Sequence, residues 1–160
     1  MLRITFVSGN IFRDHIHDDI YAETEYEHLR ITRHDAEKSR LRKSTDRGTD
    51  IGLVLEQGTR LRHGDILQGD EKTIVVEQIP EKVATLKLDK SDTESLILAG
   101  HIIGNRHRPV SIKDNTIHFP IQADSEIEVF EKLLSGVNAK ITVEEIIFTP
   151  HDMAWVSEHG

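Results

Sequence analysis

Cysteine is absent from the 160-residue chain, which excludes a disulfide framework, a thiol nucleophile and any thiolate-built zinc or iron-sulfur site. Metal chemistry must therefore rest on imidazole and carboxylate. No apolar run reaches the roughly 18 residues of a membrane span, and no basic-then-apolar leader precedes a small-residue cleavage site. The expectation is a cytosolic protein with no membrane partner. Basic residues are the scarcer charge: 20 Lys plus Arg against 28 Asp plus Glu give a formal charge of −8. That argues against nucleic acid, whose binding depends on neutralising phosphates with Lys and Arg. Hydrophobic residues make up only 37%, which fits one compact unit or two small domains. Histidine is what the chain has in abundance, 10 in all.

Residues 1–79 are short apolar-alternating runs broken by Gly, Asp and Asn, with no long helical period, and read as all-β. Candidate strands are 2–7, 26–33, 51–55 and 73–78, separated by turn material such as Ser8-Gly9-Asn10, Gln57-Gly58 and Gln68-Gly69-Asp70. A small sandwich or barrel follows, with Pro80 as a linker. Arg30 to Arg47 holds seven basic side chains against three acidic ones, either a solvated strand pair and loop or a docking patch for an acidic partner.

From residue 80 the order is strand, helix, hairpin, helix, strand. Residues 82–88 form a strand, and Ser91 and Glu94 have the spacing of a capping box. Leu96, Ala99, Gly100 and Ile103 make a helical stripe that Ile97, Leu98 and Ile102 widen until the helix is apolar almost all round. Such a helix must be buried on more than one side, and Gly104-Asn105 suits a left-handed end before Pro109. Val110 and Ile112, then Ile117, Phe119 and Ile121, alternate across an Asp114-Asn115 turn. Ser125 and Glu128 repeat the capping-box spacing, Ile127, Phe130, Leu133 and Leu134 make the inner stripe, and Gly136 is placed as a cap. Residues 141–148 supply the last strand. This is a ferredoxin-like βαββαβ unit over 80–149. The fold class is α+β, with residues 150–160 expected to form a short mobile tail carrying His151, Trp155 and His159.

The stretch Gly100-His101-Ile102-Ile103-Gly104-Asn105-Arg106-His107-Arg108-Pro109 is the most informative, because polar residues cluster at the end of an apolar helix. His107 there is either a charge favourable to the helix dipole or half of a site. If the helix buries its second side in a twofold homodimer, one His per chain appears twice and two imidazoles can face one metal ion. Imidazole suits nickel, zinc and copper, and His159 and His151 of the tail can complete the set exchangeably. His101 lies about 240° round the helix from His107, so the two are no chelating pair, and His101 reads as a packed or hydrogen-bonded helix residue. His118 points away from the buried face of its hairpin. His15 and His17 share one side of a strand-like segment near Asp14, Asp18 and Asp19, where a solvated loop is the simpler reading. His28, His34 and His63 receive no role. No nucleophile elbow, phosphate loop, dinucleotide fingerprint or zinc-protease motif occurs, and Glu144-Glu145 fall on opposite faces of a strand, so nothing resembles a catalytic set.

Ile103-Gly104-Asn105-Arg106-His107, with Pro109 two further on, resembles the Gly-Asn-Arg-His signature of the UreE urease accessory proteins. Arg40-Leu41-Arg42, then Thr45-Asp46-Arg47-Gly48, then Leu61-Arg62-His63-Gly64-Asp65-Ile66-Leu67 are similar to the family's Arg-x-Arg, Thr-x-x-Gly and Leu-x-x-Gly-Asp-x-Leu, in the family's order. The resemblance covers nearly the whole chain. It implies a homodimeric nickel metallochaperone, not an enzyme, with an N-terminal peptide- or partner-binding domain and a C-terminal domain that dimerises and binds metal. Such a protein delivers Ni(II) to apo-urease together with the GTPase and other accessory proteins. The interfacial nickel ligand maps onto His107 and the tail ligand onto His159, with His151 beside it. Zn(II) or Cu(II) would occupy the same imidazoles in vitro. The chain departs from some members in lacking a polyhistidine tail. It also has Ile102 where they have His, and Asp124, Glu126 and Glu128 where they have further histidines, so their auxiliary sites are not expected. The alternative function is a metal-independent adaptor in the urease maturation complex.

Overall fold

A computed structural model describes residues 1–14 and 26–151, which divide into two compact units, Met1–Ile79 and Pro80–Gly160. His15, His17, Trp155 and His159 lie outside the described residues. Among the described residues no helix is long and apolar enough to cross a membrane.

The first unit contains β1 (Leu2–Ile4), β2 (Gly9–Asn10), β3 (Tyr26–Ile31), α1 (Arg33–Ala36), β4 (Arg40–Ser44), β5 (Asp50–Val54), β6 (Asp65–Gly69) and β7 (Lys72–Gln78). They form a three-stranded sheet, β1-β5-β4, and a four-stranded sheet, β2-β6-β7-β3. Pairing is antiparallel except β1 with β5 and β3 with β7. Inward residues of both sheets, among them Ile4, Leu29, Ile31, Ile51, Leu53, Leu67, Ile74 and Val76, fill one core. The arrangement is strand-rich as expected, with three differences. A single helical turn, α1, capped by Thr32 Oγ1 accepting from Asp35 N (3.1 Å), interrupts the strand expected to reach residue 33. Arg40–Ser44 and Asp65–Gly69 are strands inside stretches that read as basic run and turn material. The β6–β7 turn is made by Asp70 (φ 48°) and Glu71 (φ 61°), not by Gly69. Gly69 is needed because a Cβ there would lie 2.8 Å from Leu2 Cδ1.

The second unit runs β8 (Glu81–Leu88), α2 (Thr93–Asn105), β9 (Ser111–Lys113), β10 (Thr116–Pro120), α3 (Ser125–Leu133) and β11 (Ala139–Ile146). The sheet order β11-β8-β10-β9, all antiparallel, is that of a ferredoxin-like unit. Ala99 and Ile103 of α2 and Phe130 of α3, with Leu134 just beyond it, share a core with Leu86, Leu88, Ile117 and Phe119 of the sheet, so both helices cover one face. Phe119 and Phe130 meet with ring centroids 4.7 Å apart at 55°, a tilted pair worth about 1 kcal/mol beyond its area.

The helix ends differ from the sequence reading. Asp92, not Ser91, caps α2: its carboxylate accepts from Ser95 N (3.1 Å) and Ser95 Oγ (2.8 Å), one residue later than the Ser91–Glu94 pair and without the return bond of a capping box, the Asp92 N–H donating to Asp89 O. At α3 the Ser125–Glu128 box does not form, Asp124 being the N-cap with no side-chain cap bond. Gly136 does not take a positive φ, and α3 closes through Leu134 N donating to Phe130 O (2.8 Å). Leu133 is 38% exposed, and Gly100 is on the exposed face of α2 with open space around its Cα.

Candidate metal centre

The C-terminal end of α2 presents Asn105, Arg106 and His107 to solvent. Arg106 N donates to Ile103 O (3.1 Å) and His107 N to Gly104 O (3.0 Å), so the helix tightens through its last turn. The left-handed residue expected at Gly104-Asn105 is instead His107, with φ 53°. That conformation is usually left to Gly or Asn, because a Cβ crowds the following carbonyl oxygen. His107 is exposed, two residues past the last helical one.

The corner is anchored from its C-terminal side. The Arg108 guanidinium pairs with Glu126 and donates to Pro120 O (3.3 Å), and the second Glu126 oxygen accepts from Gln122 N. Burial pushes the Glu126 carboxyl up, but the Gln122 amide and Arg108 outweigh it and hold the group below its ordinary value. Glu126 is thus committed to a structural ion pair. No sequence signal pointed to this clamp, because its two residues are 18 apart and meet only when β10 brings the start of α3 against the corner.

The exposed face of α2 beside His107 is apolar and open: Ile97 is 67% and Leu98 39% exposed, and a Cβ on Gly100 or Gly104 would meet nothing within 4 Å. His101 is on this side too, exposed, with Asn105 Nδ2 donating to its Nε2 (3.2 Å). His118 is half-buried on the sheet face away from the helices and shares a hydrogen bond with Thr85 Oγ1 (3.0 Å). His151 is exposed but engaged at the β9 edge: its backbone N donates to Val110 O (2.7 Å) and its Nδ1 accepts from Ile112 N (2.9 Å). A neutral ring accepting at Nδ1 carries its proton on Nε2, so metal ligation requires release of that bond. Among the described residues no three His, Asp or Glu side chains are grouped to hold a metal ion. Within the described part of the second unit, His107 is therefore the exposed imidazole for which no side-chain hydrogen bond is seen.

Of the described imidazoles of the first unit, His28 and His63 are engaged. His28 lies 3.3 Å from Asp46 through Nδ1, and Asp46 also accepts from His28 N (2.8 Å), which holds its carboxyl below the usual range. His63 accepts from Gln78 N (3.2 Å) and stacks on Phe12 at 5.3 Å between centroids. His34 is exposed on α1. Most of the basic run is internally paired: Arg30 with Glu77, Arg33 with Glu37, Lys38 and Lys43 with Asp35, and Arg42 with Asp50.

Comparison with known proteins settles the relationship. The model of the UreE urease accessory protein N-terminal domain matches residues 8–79, and that of the C-terminal domain matches residues 81–160. The chain belongs to the UreE urease accessory protein family. A urease accessory protein UreE of Pseudomonas putida strain F1 is 35% identical over 126 residues, covering 77% of this chain and 71% of that protein. The Yersinia bercovieri protein is 30% identical over 131 residues (76% and 58%), and that of Natronomonas pharaonis 31% over 138 (79% and 63%). The match thus spans less than two thirds of the Yersinia and Natronomonas proteins. UreE proteins are accessory chaperones, not enzymes.

Two of the three UreE-like motifs of the first unit, Thr-x-x-Gly and Leu-x-x-Gly-Asp-x-Leu, build turns of the fold. Thr45 and Gly48 build the β4–β5 turn: Thr45 N donates to Thr49 O (2.9 Å), Gly48 N to Thr45 O (3.0 Å) and Thr49 N to Thr45 Oγ1 (3.1 Å). Asp65 is 3% exposed and accepts from Asn10 Nδ2 (2.9 Å) and Arg62 N (2.7 Å), while Asn10 Oδ1 accepts from the amides of Phe12 and Arg13. Gly64, at φ 86°, lies under the Phe12 ring, where a Cβ would be 2.5 Å from the nearest ring carbon. Leu-x-x-Gly-Asp-x-Leu is therefore a turn that welds the β2 end to β6.

Proposed function

We propose that this chain is a nickel-binding metallochaperone that delivers Ni(II) to apo-urease in the cytoplasm, working with the GTPase and the other accessory proteins of urease maturation. Membership of the urease accessory family supports the process. The exposed, left-handed His107 at the border of an open apolar helix face supports the site. In this reading two copies pair through the second unit, covering Ile97 and Leu98, and the His107 imidazoles of both subunits face one ion. His159, and His151 on release from Ile112 N, supply exchangeable donors that let the ion be handed on. The first unit serves as a partner-binding domain. Imidazole accepts Zn(II) and Cu(II) as well, so selectivity in the cell follows geometry and supply.

The test is calorimetric titration of nickel into metal-free wild type and His107→Ala, with native mass spectrometry counting ions per dimer. The expected result is one tight ion per wild-type dimer, lost in a variant that remains dimeric. Unchanged tight binding in His107→Ala would overturn the site. Dimer loss in that variant would make His107 a structural residue instead.

A further inference from the structure

The sheet of the second unit has a face that neither α2 nor α3 covers, and its composition follows from register. Leu86, Ile117, Phe119 and Ile141 point into the helix-packed core, so the alternate residues stand on the other side. There Lys113, Thr116, Lys87 and Lys140 fall in one row across β9, β10, β8 and β11, with His118, Thr85 and Thr142 in the next row. All three lysines are exposed.

Two features set this row apart. Lys87 stands directly opposite Lys140 in an antiparallel pair, an arrangement that destabilises a sheet. Among the described residues none of the three lysines meets a carboxylate, as is also true of Lys90 and Lys132 elsewhere, whereas Lys38, Lys43, Lys72 and Lys82 each do, so what is peculiar here is that three such lysines share one row. A chain of formal charge −8 thus gathers three positive charges in one row of this face, with the Glu144 carboxylate on the same face two residues beyond Thr142. A local conflict without an internal gain marks a surface shaped by something outside the fold.

We propose that this face binds an extended acidic polypeptide segment of a partner protein. Lys87, Lys113 and Lys140 meet its carboxylates, and Thr85, Thr142 and His118 take up hydrogen bonds. Neighbouring strands stand about 4.8 Å apart and alternate side chains of an extended segment about 7 Å apart, distances that flexible lysine stems bridge easily. Charge complementarity selects an acidic occupant. The two rows hold no Phe, Tyr or Trp, and His118, already hydrogen-bonded to Thr85, is their one ring, which favours polypeptide over single-stranded nucleic acid, whose successive bases each need a stacking partner.

The experiment measures fluorescence anisotropy of a labelled peptide of alternating Glu and Ser, with the Gln version as control, titrated with the full chain. The expected result is saturable binding of the Glu peptide alone, weakening as salt is added. The pair Lys87→Gln with Lys140→Gln should weaken binding roughly tenfold, and Lys87→Arg with Lys140→Arg should retain it. The Gln pair should melt no lower than wild type, because it removes the cross-strand repulsion; if it does melt lower, the Arg pair together with Lys113→Gln carries the test. Equal binding by wild type and the Lys→Gln variants overturns the proposal. So does tighter binding of an oligouridylate of equal charge, which makes the face a nucleic-acid surface. Binding seen only after removal of residues 152–160 overturns it too, assigning the face to the chain's own tail.

Discussion

Replacing His107 by Gly should stabilise the second unit while abolishing its proposed metal site. His107 holds φ 53°, its side chain is exposed, and its backbone N–H already bonds Gly104 O, a bond glycine keeps. A left-handed conformation costs a residue with a Cβ about 1–2 kcal/mol relative to glycine. Glycine gives back about 0.5–1 kcal/mol through its greater freedom in the unfolded chain. The net is a gain of about 0.5–1 kcal/mol, which for a unit of this size raises Tm by roughly 2–8 °C. His107→Ala keeps the Cβ and serves as the control, expected within about 0.5 kcal/mol of wild type. The assay is thermal unfolding by circular dichroism with chelator present, so that bound metal adds nothing. A His107→Gly variant melting no higher than His107→Ala would refute the reasoning, since the corner would then hold no strain for glycine to relieve.

Three further outcomes follow. Ile97→Glu should shift sedimentation from dimer towards monomer with no loss of Tm at low concentration, because a side chain 67% exposed in one chain contributes little to that chain's own core; a dimer that persists unchanged would move the interface elsewhere. Nickel affinity should fall as pH drops through about 6.5, since imidazole must be neutral to ligate, and a flat profile from pH 8 to 5 would exclude histidine ligation. Asp65→Ala should cost the first unit about 1–3 kcal/mol in urea unfolding, since it strands the Arg62 amide and removes one of the two acceptors of the buried Asn10 Nδ2, which keeps only His63 O; a loss below about 0.5 kcal/mol would deny the weld.

The second unit was legible because its sequence switches between periods of two and 3.6, and each switch marks an element whose apolar face must find the same core. The first unit was less so. β4 pairs only with β5, and three of its five side chains are exposed, so Arg40, Arg42 and Ser44 read as part of a solvated strand pair and loop with no bounds for the strand. β6 was hidden by Gly64, Asp65 and Gly69, which signal turns wherever they fall. Helix ends missed by a residue or more for a related reason. Ser91 and Ser125 satisfy the local capping pattern, but the backbone geometry set by tertiary packing put Asp92 and Asp124 at the caps. At the site, His107 was found through a family motif and not through conformation, because Gly104-Asn105 offered a better left-handed pair on propensity alone. The Arg108–Glu126 clamp was invisible, since only the folded sheet and α3 bring the two together.

The motif residues of the two units stand on different energetic ground. In the first unit Thr45, Asn10 and Asp65 are each held by several internal hydrogen bonds, so their loss acts through stability, and any functional defect there should track unfolding. In the second unit His107 holds a conformation glycine would adopt with less strain, and Lys87 faces Lys140 across a strand pair. Each is a cost on the order of 1 kcal/mol in a domain whose whole stability is about 5–15 kcal/mol, and neither is offset by a contact among the described residues. Folding alone selects against both. Variants at His107 and at the lysine row therefore separate function from stability where variants at Asp65 cannot.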